Sequence, residues 1–427
     1  MNQKKRRCRM AENKSILVVG GGISGMTVAV EAAEVGYEVY LVERNPYIGG
    51  RVAQLNKYFP KMCPPYCGLE INFRRIRPNE NVKVMTMSEV QKIDGGPGNF
   101  TVTVKTNPTH VNDNCTACNK CAEACPSERP NSFNYGMDNS RAAYLPHPMA
   151  MPMKYVIDKS ACAGDCGKAC KEACRYDAVE LDMQAKTTEL KVGSVVYATG
   201  WKPYDMEKLT ILGGGKMKNV ISNVMMERLA AISGPTAGRI LRPSDGKEAK
   251  NIAFVQCAGS RDENHLSHCS SVCCMASIKQ AKYMREQYPA DSRAEIFYID
   301  LRTPGRYEKF LNGAQADENI TFTKGKVANI MENAATGDVT VEIEDVFGGG
   351  KKRSTVDMVV LATGMQPELP GAPGSVAALT EEGFAVGDLQ KPGIYAAGVA
   401  KRPVDVMTSI QDATGTALKA IQGIARS

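Results

Sequence analysis

Histidine is scarce, with four in 427 residues, and no Ser-His-Asp grouping or paired carboxylates suggest a hydrolytic site. Aromatic residues make up only 6% of the chain and do not cluster with basic ones. The net charge of +7, spread along the sequence, is therefore a weak footprint for nucleic acid. No run of about 18 apolar residues occurs, which excludes a spanning helix. The start, MNQKKRRCRMAENKS, is basic but leads into no apolar stretch, so it does not read as a secretory signal. It reads instead as a disordered tail over residues 1–14, or as a lead-in to a true start at Met10. A cytoplasmic location follows, with any membrane association made through a partner.

What the chain has in quantity is cysteine, fifteen residues of it. Without export, clustered cysteines read as metal ligands or redox thiols rather than disulfides. A length of 427 residues predicts two or three domains, and 43% hydrophobic content is that of a soluble globular protein.

The stretch KSILVVGGGISGMTVAVEAAEVGYEVYLVER reads as strand, glycine turn, helix and second strand, followed by an acid. Gly20, Gly22 and Gly25 form the G-x-G-x-x-G loop, which lets a pyrophosphate sit on the helix N-terminus beside Ile23 and Ser24. Glu43, followed by Arg44, ends the second strand, where a carboxylate accepts hydrogen bonds from ribose hydroxyls. A further glycine pair, Gly49 and Gly50, followed by Arg51, resembles FAD-binding oxidoreductases of the thioredoxin reductase type. Ala198-Thr199-Gly200 and Ala362-Thr363-Gly364 resemble the strand ends that lead out of each nucleotide domain in that group. The segment around Gly398, Val399 and Ser409 resembles the one that contacts the flavin ribityl chain and ring, although the usual Gly-Asp is here Gly-Val. Two β-meander patterns, one before each Ala-Thr-Gly, suggest two Rossmann-like halves. The expected fold is α/β, two such domains with a ferredoxin-like insertion.

That insertion lies between Thr106 and Lys186. CTACNKCAEACP places Cys115, Cys118, Cys121 and Cys125 in the C-x2-C-x2-C-x3-C-P run of bacterial ferredoxins, which wraps a [4Fe–4S] cluster. A second run, Cys162, Cys166, Cys170 and Cys174, has uniform gaps of three and lacks the proline. Such spacing also suits a cysteine-lined face of one helix. By the ferredoxin crossover rule, Cys115, Cys118, Cys121 and Cys174 hold one cluster, and Cys125, Cys162, Cys166 and Cys170 the other.

A third group stands where a nicotinamide site belongs. The strand ending at Val255 runs into VQCAGSRDENHLSHCSSVCCMASIKQ and then a helix read from Ser270 to Tyr288. The turn has one glycine where three are needed, so ordinary NAD(P)H binding is not expected. Cys257, Cys269, Cys273 and Cys274 can converge on zinc, on a redox disulfide set, or on an iron–sulfur cluster. Zinc ligands usually come as spaced pairs, against which the adjacent Cys273-Cys274 counts. No C-x-x-C supports the disulfide set, and the company of the insertion favours the cluster. Cys63 and Cys67 (CPPYC) fall where disulfide-reducing flavoenzymes carry their reactive pair; alternatively one of them supports a cluster, or both are plain loop residues. His265 and His268 read as solvated loop residues, and no catalytic acid or base is assigned.

Together these motifs resemble the A-type component of heterodisulfide reductases over nearly the whole chain. In that family the Cys-Cys-containing set holds an unusually ligated [4Fe–4S] cluster beside FAD. The length, the CPPYC stretch and the irregular second run look most like a sulfate-reducer relative, the A-type component of the quinone-interacting membrane-bound oxidoreductase complex. The resemblance implies two partners, a second flavin/iron–sulfur subunit together with a haem-bearing membrane subunit. Electrons would pass between the quinone pool and adenylylsulfate reductase. One alternative is the A-type component of a soluble heterodisulfide reductase complex, with or without flavin-based bifurcation. Another is an NAD(P)H- or thiol-linked disulfide reductase. The expected division is an FAD domain over residues 15–112, 185–250 and 351–427, the insertion over 113–184, and a nicotinamide-domain-like unit over 251–350.

Overall fold

A computed structural model of the chain describes residues 13–162, 166–369, 377–386 and 391–426. Residues 1–12, with Cys8 and most of the expected tail, lie outside the described residues.

The apolar run Ile16–Val19 is buried on both faces, as a central parallel strand must be. It pairs in parallel with Val39–Val42 on one side and Ser194–Tyr197 on the other. Val82–Met85 and Ile394–Ala396 complete a five-stranded parallel sheet. The helix Ile23–Glu34 packs against the C-terminal helix Val406–Arg426, so the two ends of the chain build one domain. A three-stranded antiparallel meander, Ser88–Gly96, Asn99–Thr106 and Lys186–Val192, closes this half.

The second half repeats the plan. Its parallel sheet runs Val220–Ser222, Met358–Thr363, Asn251–Ala258, Arg293–Tyr298 and Ile320–Lys324, and its meander comprises Val327–Glu332, Val339–Asp345 and Gly350–Val356. The unit therefore extends beyond the expected 251–350 at both ends. Val220–Ser222 is too short for its pattern to show in the sequence, and Met358–Thr363 fills the place beside Asn251–Ala258. The two exits from the halves, Trp201–Pro203 and Met365–Pro367, pair antiparallel as a double linker.

The insertion leaves and rejoins the first meander at one rung of its ladder, where Thr106 pairs with Lys186. Within it two short hairpins and two short helices, Lys120–Glu123 and Gly167–Glu172, surround a small core rich in cysteine. Arg228, fully buried, ties three regions together. It donates to Asn134 Oδ1 of the insertion at 2.8 Å and to the Gln54 carbonyl of the first half at 3.3 Å. Its guanidinium also stacks 4.7 Å from the Phe133 ring. A buried cation needs this degree of hydrogen bonding to offset its desolvation. Among the described residues no helix is long and apolar enough to cross a membrane.

Candidate functional site

The glycine loop after the first strand is sterically obligatory. Gly20 has φ +106°, and a Cβ there would meet the Ala198 carbonyl oxygen at 2.4 Å; one on Gly25 would lie 1.8 Å from the Gly20 carbonyl oxygen. The loop opens onto a cavity of about 1560 Å³ walled by both halves and by the insertion. Of the residues singled out in the sequence, Gly20, Gly22, Ile23, Ser24, Glu43, Arg44, Gly50, Arg51, Ala198, Thr199, Gly200, Val399 and Ser409 line it. Gly25, Gly49, Gly364 and Gly398 are not part of its wall. Gly25 and Gly49 shape the loops behind it. Gly398 donates its N–H to Asp412 Oδ2 at 2.7 Å. Gly364 packs against Ser260, Leu266 and Ser270 of the cysteine loop, while its neighbour Thr363 lines the cavity.

Glu43 is buried, and burial raises its carboxyl above the usual range against the pull of the Asn45 and Gly21 N–H groups. Its Oε2 accepts from Gly21 N–H at 2.7 Å, and Oε1 from the Asn45 backbone and side chain at 2.8 and 2.7 Å. A carboxylate has about four acceptor sites, so one remains for a ribose hydroxyl rather than two. Two buried polar atoms on the cavity wall, Thr199 Oγ1 and Gln280 Oε1, have no partner. Those orphans, the glycine cradle and the volume all fit a dinucleotide such as FAD.

The wall contributed by the second half carries residues the sequence did not reveal. Lys279 Nζ and Glu227 Oε1 form an ion pair at 3.0 Å, with side chains only 3% and 4% exposed. Glu227 also accepts from Gln280 Nε2 at 2.7 Å and Tyr283 OH at 3.1 Å. A lysine in a helix reads as a surface residue, and only the tertiary fold shows this one to be inside. Cys273, Ala276, Lys279 and Gln280 all come to the cavity from the helix Cys273–Gln287.

That helix begins three residues later than expected, which makes Cys273 and Cys274 its first two residues. Residues 259–272 fold over the end of the second sheet, where a nicotinamide pyrophosphate would lie. Arg261 N–H donates to the His268 carbonyl at 3.1 Å, Met365 N–H to Ser270 Oγ at 2.8 Å, and Arg261 Nη2 to Asp300 at 2.8 Å. His265 and His268 are half-buried and hydrogen-bonded to the protein rather than freely solvated. His265 Nδ1 meets Tyr204 OH at 2.9 Å, and His268 Nε2 the Met365 carbonyl at 2.9 Å. Backbone strain concentrates here, with left-handed φ at Cys257 (+55°), Arg261 (+56°) and Ser271 (+61°).

The structure gathers Cys257, Cys269, Cys273 and Cys274. Burial drives the Cys273 thiol far up, and Cys257, Cys274 and Cys269 raise it further. Cys257 is likewise raised by burial and by Cys274, against the pull of Arg261. Two N–H groups point at sulfur: Ser271 to Cys269 at 3.4 Å and Arg302 to Cys274 at 3.4 Å. Cys273 and Cys274 are buried and Cys257 and Cys269 half-buried, and a metal centre bound among them would supply the positive charge that thiolate ligands need, as in iron–sulfur ligation.

The insertion forms two further groups. Cys115, Cys118, Cys121 and Cys174 line one small cavity, with Tyr155 and Tyr176. Burial, then the Cys115 charge, pushes the Cys121 thiol up to about 12. Cys162 is raised by burial and then by Cys166, Cys125 and Cys170. The single-helix alternative fails, because only Cys170 lies within Gly167–Glu172, while Cys166 caps it and Cys162 and Cys174 flank it. No three His, Cys, Asp or Glu side chains among the described residues are placed to hold one metal ion. The corners of a cube, several ångströms apart, require no such convergence. Cys63 lines the large cavity but Cys67 is exposed, and the two are not joined.

The NAD(P)-binding Rossmann-like domain family matches residues 18–84, the first glycine loop and its flanks. Among solved structures, thioredoxin reductase of T. acidophilum aligns with a TM-score of 0.53 and 16% identity, covering 96% of this chain and 97% of that one. Thioredoxin reductase of Lactococcus lactis aligns with 0.52 and 14%, covering 96% and 99%. These likenesses show the fold: α/β, two Rossmann-like halves of the thioredoxin reductase type. The A-type component of the H(2):CoB-CoM heterodisulfide,ferredoxin reductase of Methanothermobacter marburgensis is 35% identical over 426 residues, covering 96% of this chain and 64% of that protein. The A-type iron–sulfur component of the CoB–CoM heterodisulfide reductase of Methanocaldococcus jannaschii is 37% identical over 423 residues, covering 95% and 63%. The chain thus spans just under two thirds of the length of these relatives. Over that shared length it is similar to the A-type component of heterodisulfide reductases.

Proposed function

We propose that the chain is a flavin- and iron–sulfur-bearing electron-transfer subunit of a multi-subunit oxidoreductase of the heterodisulfide reductase type. The observation that carries this is the shared cavity: the glycine loop, the insertion and Cys273 of the cysteine loop all border one space. FAD would supply exchange of two electrons for single ones there, and [4Fe–4S] clusters single-electron transfer. Gly20 to Ser24 would bind the pyrophosphate and Glu43 the ribose. Lys279, paired with Glu227, stands at the cavity wall. We assign Cys115, Cys118, Cys121 and Cys174 to one cluster, Cys125, Cys162, Cys166 and Cys170 to a second, and Cys257, Cys269, Cys273 and Cys274 to a third.

The folded-down loop 259–272 supports a pathway in which NAD(P)H is no reductant of this chain. Mixing the anaerobically purified, flavin-loaded chain with NADH or NADPH tests this: the flavin absorbance should persist, and rapid bleaching would contradict it. The curated relatives favour a heterodisulfide reductase-type assembly over the quinone-linked one that the motifs suggested. Purification of the tagged chain from its native host separates the two. A soluble assembly without haem fits the first. Membrane-bound copurification of a haem protein, with electron transfer to adenylylsulfate reductase, would instead establish the second.

A further inference from the structure

The rim of the cavity carries cations that no acid among the described residues neutralises. Arg302, Arg306 and Lys309 are exposed, and none joins an ion pair among the described residues, whereas nearby Arg261 is neutralised by Asp300 at 2.8 Å. Phe59 packs edge-on against Tyr307 with ring centres 5.4 Å apart, which brings exposed Lys61 to the same rim. The Tyr307 hydroxyl donates to Asp405 at 2.5 Å, and exposed Arg402 lies just before that segment. Met407 (56% exposed) and Ile410 (37%) line the cavity along with Lys61 and Arg306 and add exposed apolar surface there. Arg302 also donates its backbone N–H to Cys274, so the patch adjoins the third cysteine group. Against these five basic side chains the same segments carry three acids, Glu308, Asp300 engaged by Arg261, and Asp405 engaged by the Tyr307 hydroxyl.

We propose that this rim is a docking surface for a small acidic one-electron carrier protein, an inference that rests on the electron-transfer reading above. Unpaired cations beside exposed apolar surface raise the encounter rate of an acidic partner and orient it, without demanding a large interface. Electron-transfer encounters belong to the small class of interfaces, below roughly 1,200 Å². The position beside Cys274 and the cavity is where such a carrier must approach to be within reach of both.

The test uses the full chain, loaded with cofactors and purified anaerobically. The probes are an acidic two-cluster ferredoxin and, for comparison, a basic c-type cytochrome and anionic lipid vesicles. Affinity is read by calorimetry at low salt and at about 0.15 M salt. The variant is Lys309→Glu/Arg402→Glu, since neither side chain reaches the cavity wall. Wild type should bind the ferredoxin and not the cytochrome, with affinity falling as salt rises. The variant should bind at least about tenfold more weakly, with a shallower salt dependence. Equal affinity of variant and wild type, binding of the cytochrome, or binding of the vesicles in place of ferredoxin would overturn the surface. Flavin and iron content, with bleaching by dithionite, report separately on the electron-transfer reading. A fully loaded chain that ignores ferredoxin overturns the docking surface alone, whereas a chain without flavin or iron overturns both.

Discussion

At the scale of single residues, steric facts carry the glycine loop and electrostatic ones the buried polar groups. Replacing Gly25 by Ala would set a methyl group 1.8 Å from the Gly20 carbonyl, which forces the loop off its path. The expected outcome is purified Gly25→Ala protein with most of its flavin absorbance missing; full flavin content would show the loop to be more forgiving. His147 is buried between Phe133, whose ring stacks 4.6 Å away, and Tyr47 at 4.9 Å, and neither ring nitrogen has a partner. Burial and the Arg228 charge lower its pKa from 6.5 to about 4. Between those values the unfolded chain binds more protons than the folded one. Stability is therefore lost as pH falls through this window, by up to roughly 3 kcal/mol from this group. Urea midpoints of His147→Phe should fall less than those of wild type between neutral pH and about pH 4.5. The glycines were legible because their spacing is a local pattern. His147, whose ring is caged by residues distant in sequence, was not.

Among elements, the helix Cys273–Gln287 does most to shape the site, presenting Cys273, Lys279 and Gln280 to the cavity. Because it is buried along much of its circumference, its charged positions gave no warning of their place inside. Replacing Lys279 by Met leaves Glu227 without its counter-charge, and breaking a buried pair costs about 3–5 kcal/mol. Lys279→Met should lower the urea midpoint markedly, and adding Glu227→Gln should recover a large part of the loss. Equal midpoints for wild type and the single variant would mean that the pair contributes nothing. The missing glycines in the loop before this helix are visible in any sequence. The loop's folded form, pinned by Arg261, Ser270 and His268, was not visible, because each partner comes from another strand or turn.

Across the whole molecule, two Rossmann-like halves and an insertion converge on one cavity, and Arg228 joins all three. The halves were legible from their repeated glycine, meander and Ala-Thr-Gly patterns. The limits of the second half were not, since Val220–Ser222 offers only three residues of pattern and Met358–Thr363 returns from beyond the meander. The insertion could be delimited because the dense cysteine runs interrupt the α/β pattern between Thr106 and Lys186, which face each other across one ladder. The central claim is that a cluster has taken the place of a nicotinamide site. The most direct measurement is the iron content of anaerobically purified protein, wild type against Cys273→Ala/Cys274→Ala. The expected result is about twelve irons per wild-type chain and a loss of about four in the variant, with FAD retained. Unchanged iron in the variant would contradict the claim, and would return the loop 259–272 to the search for another ligand.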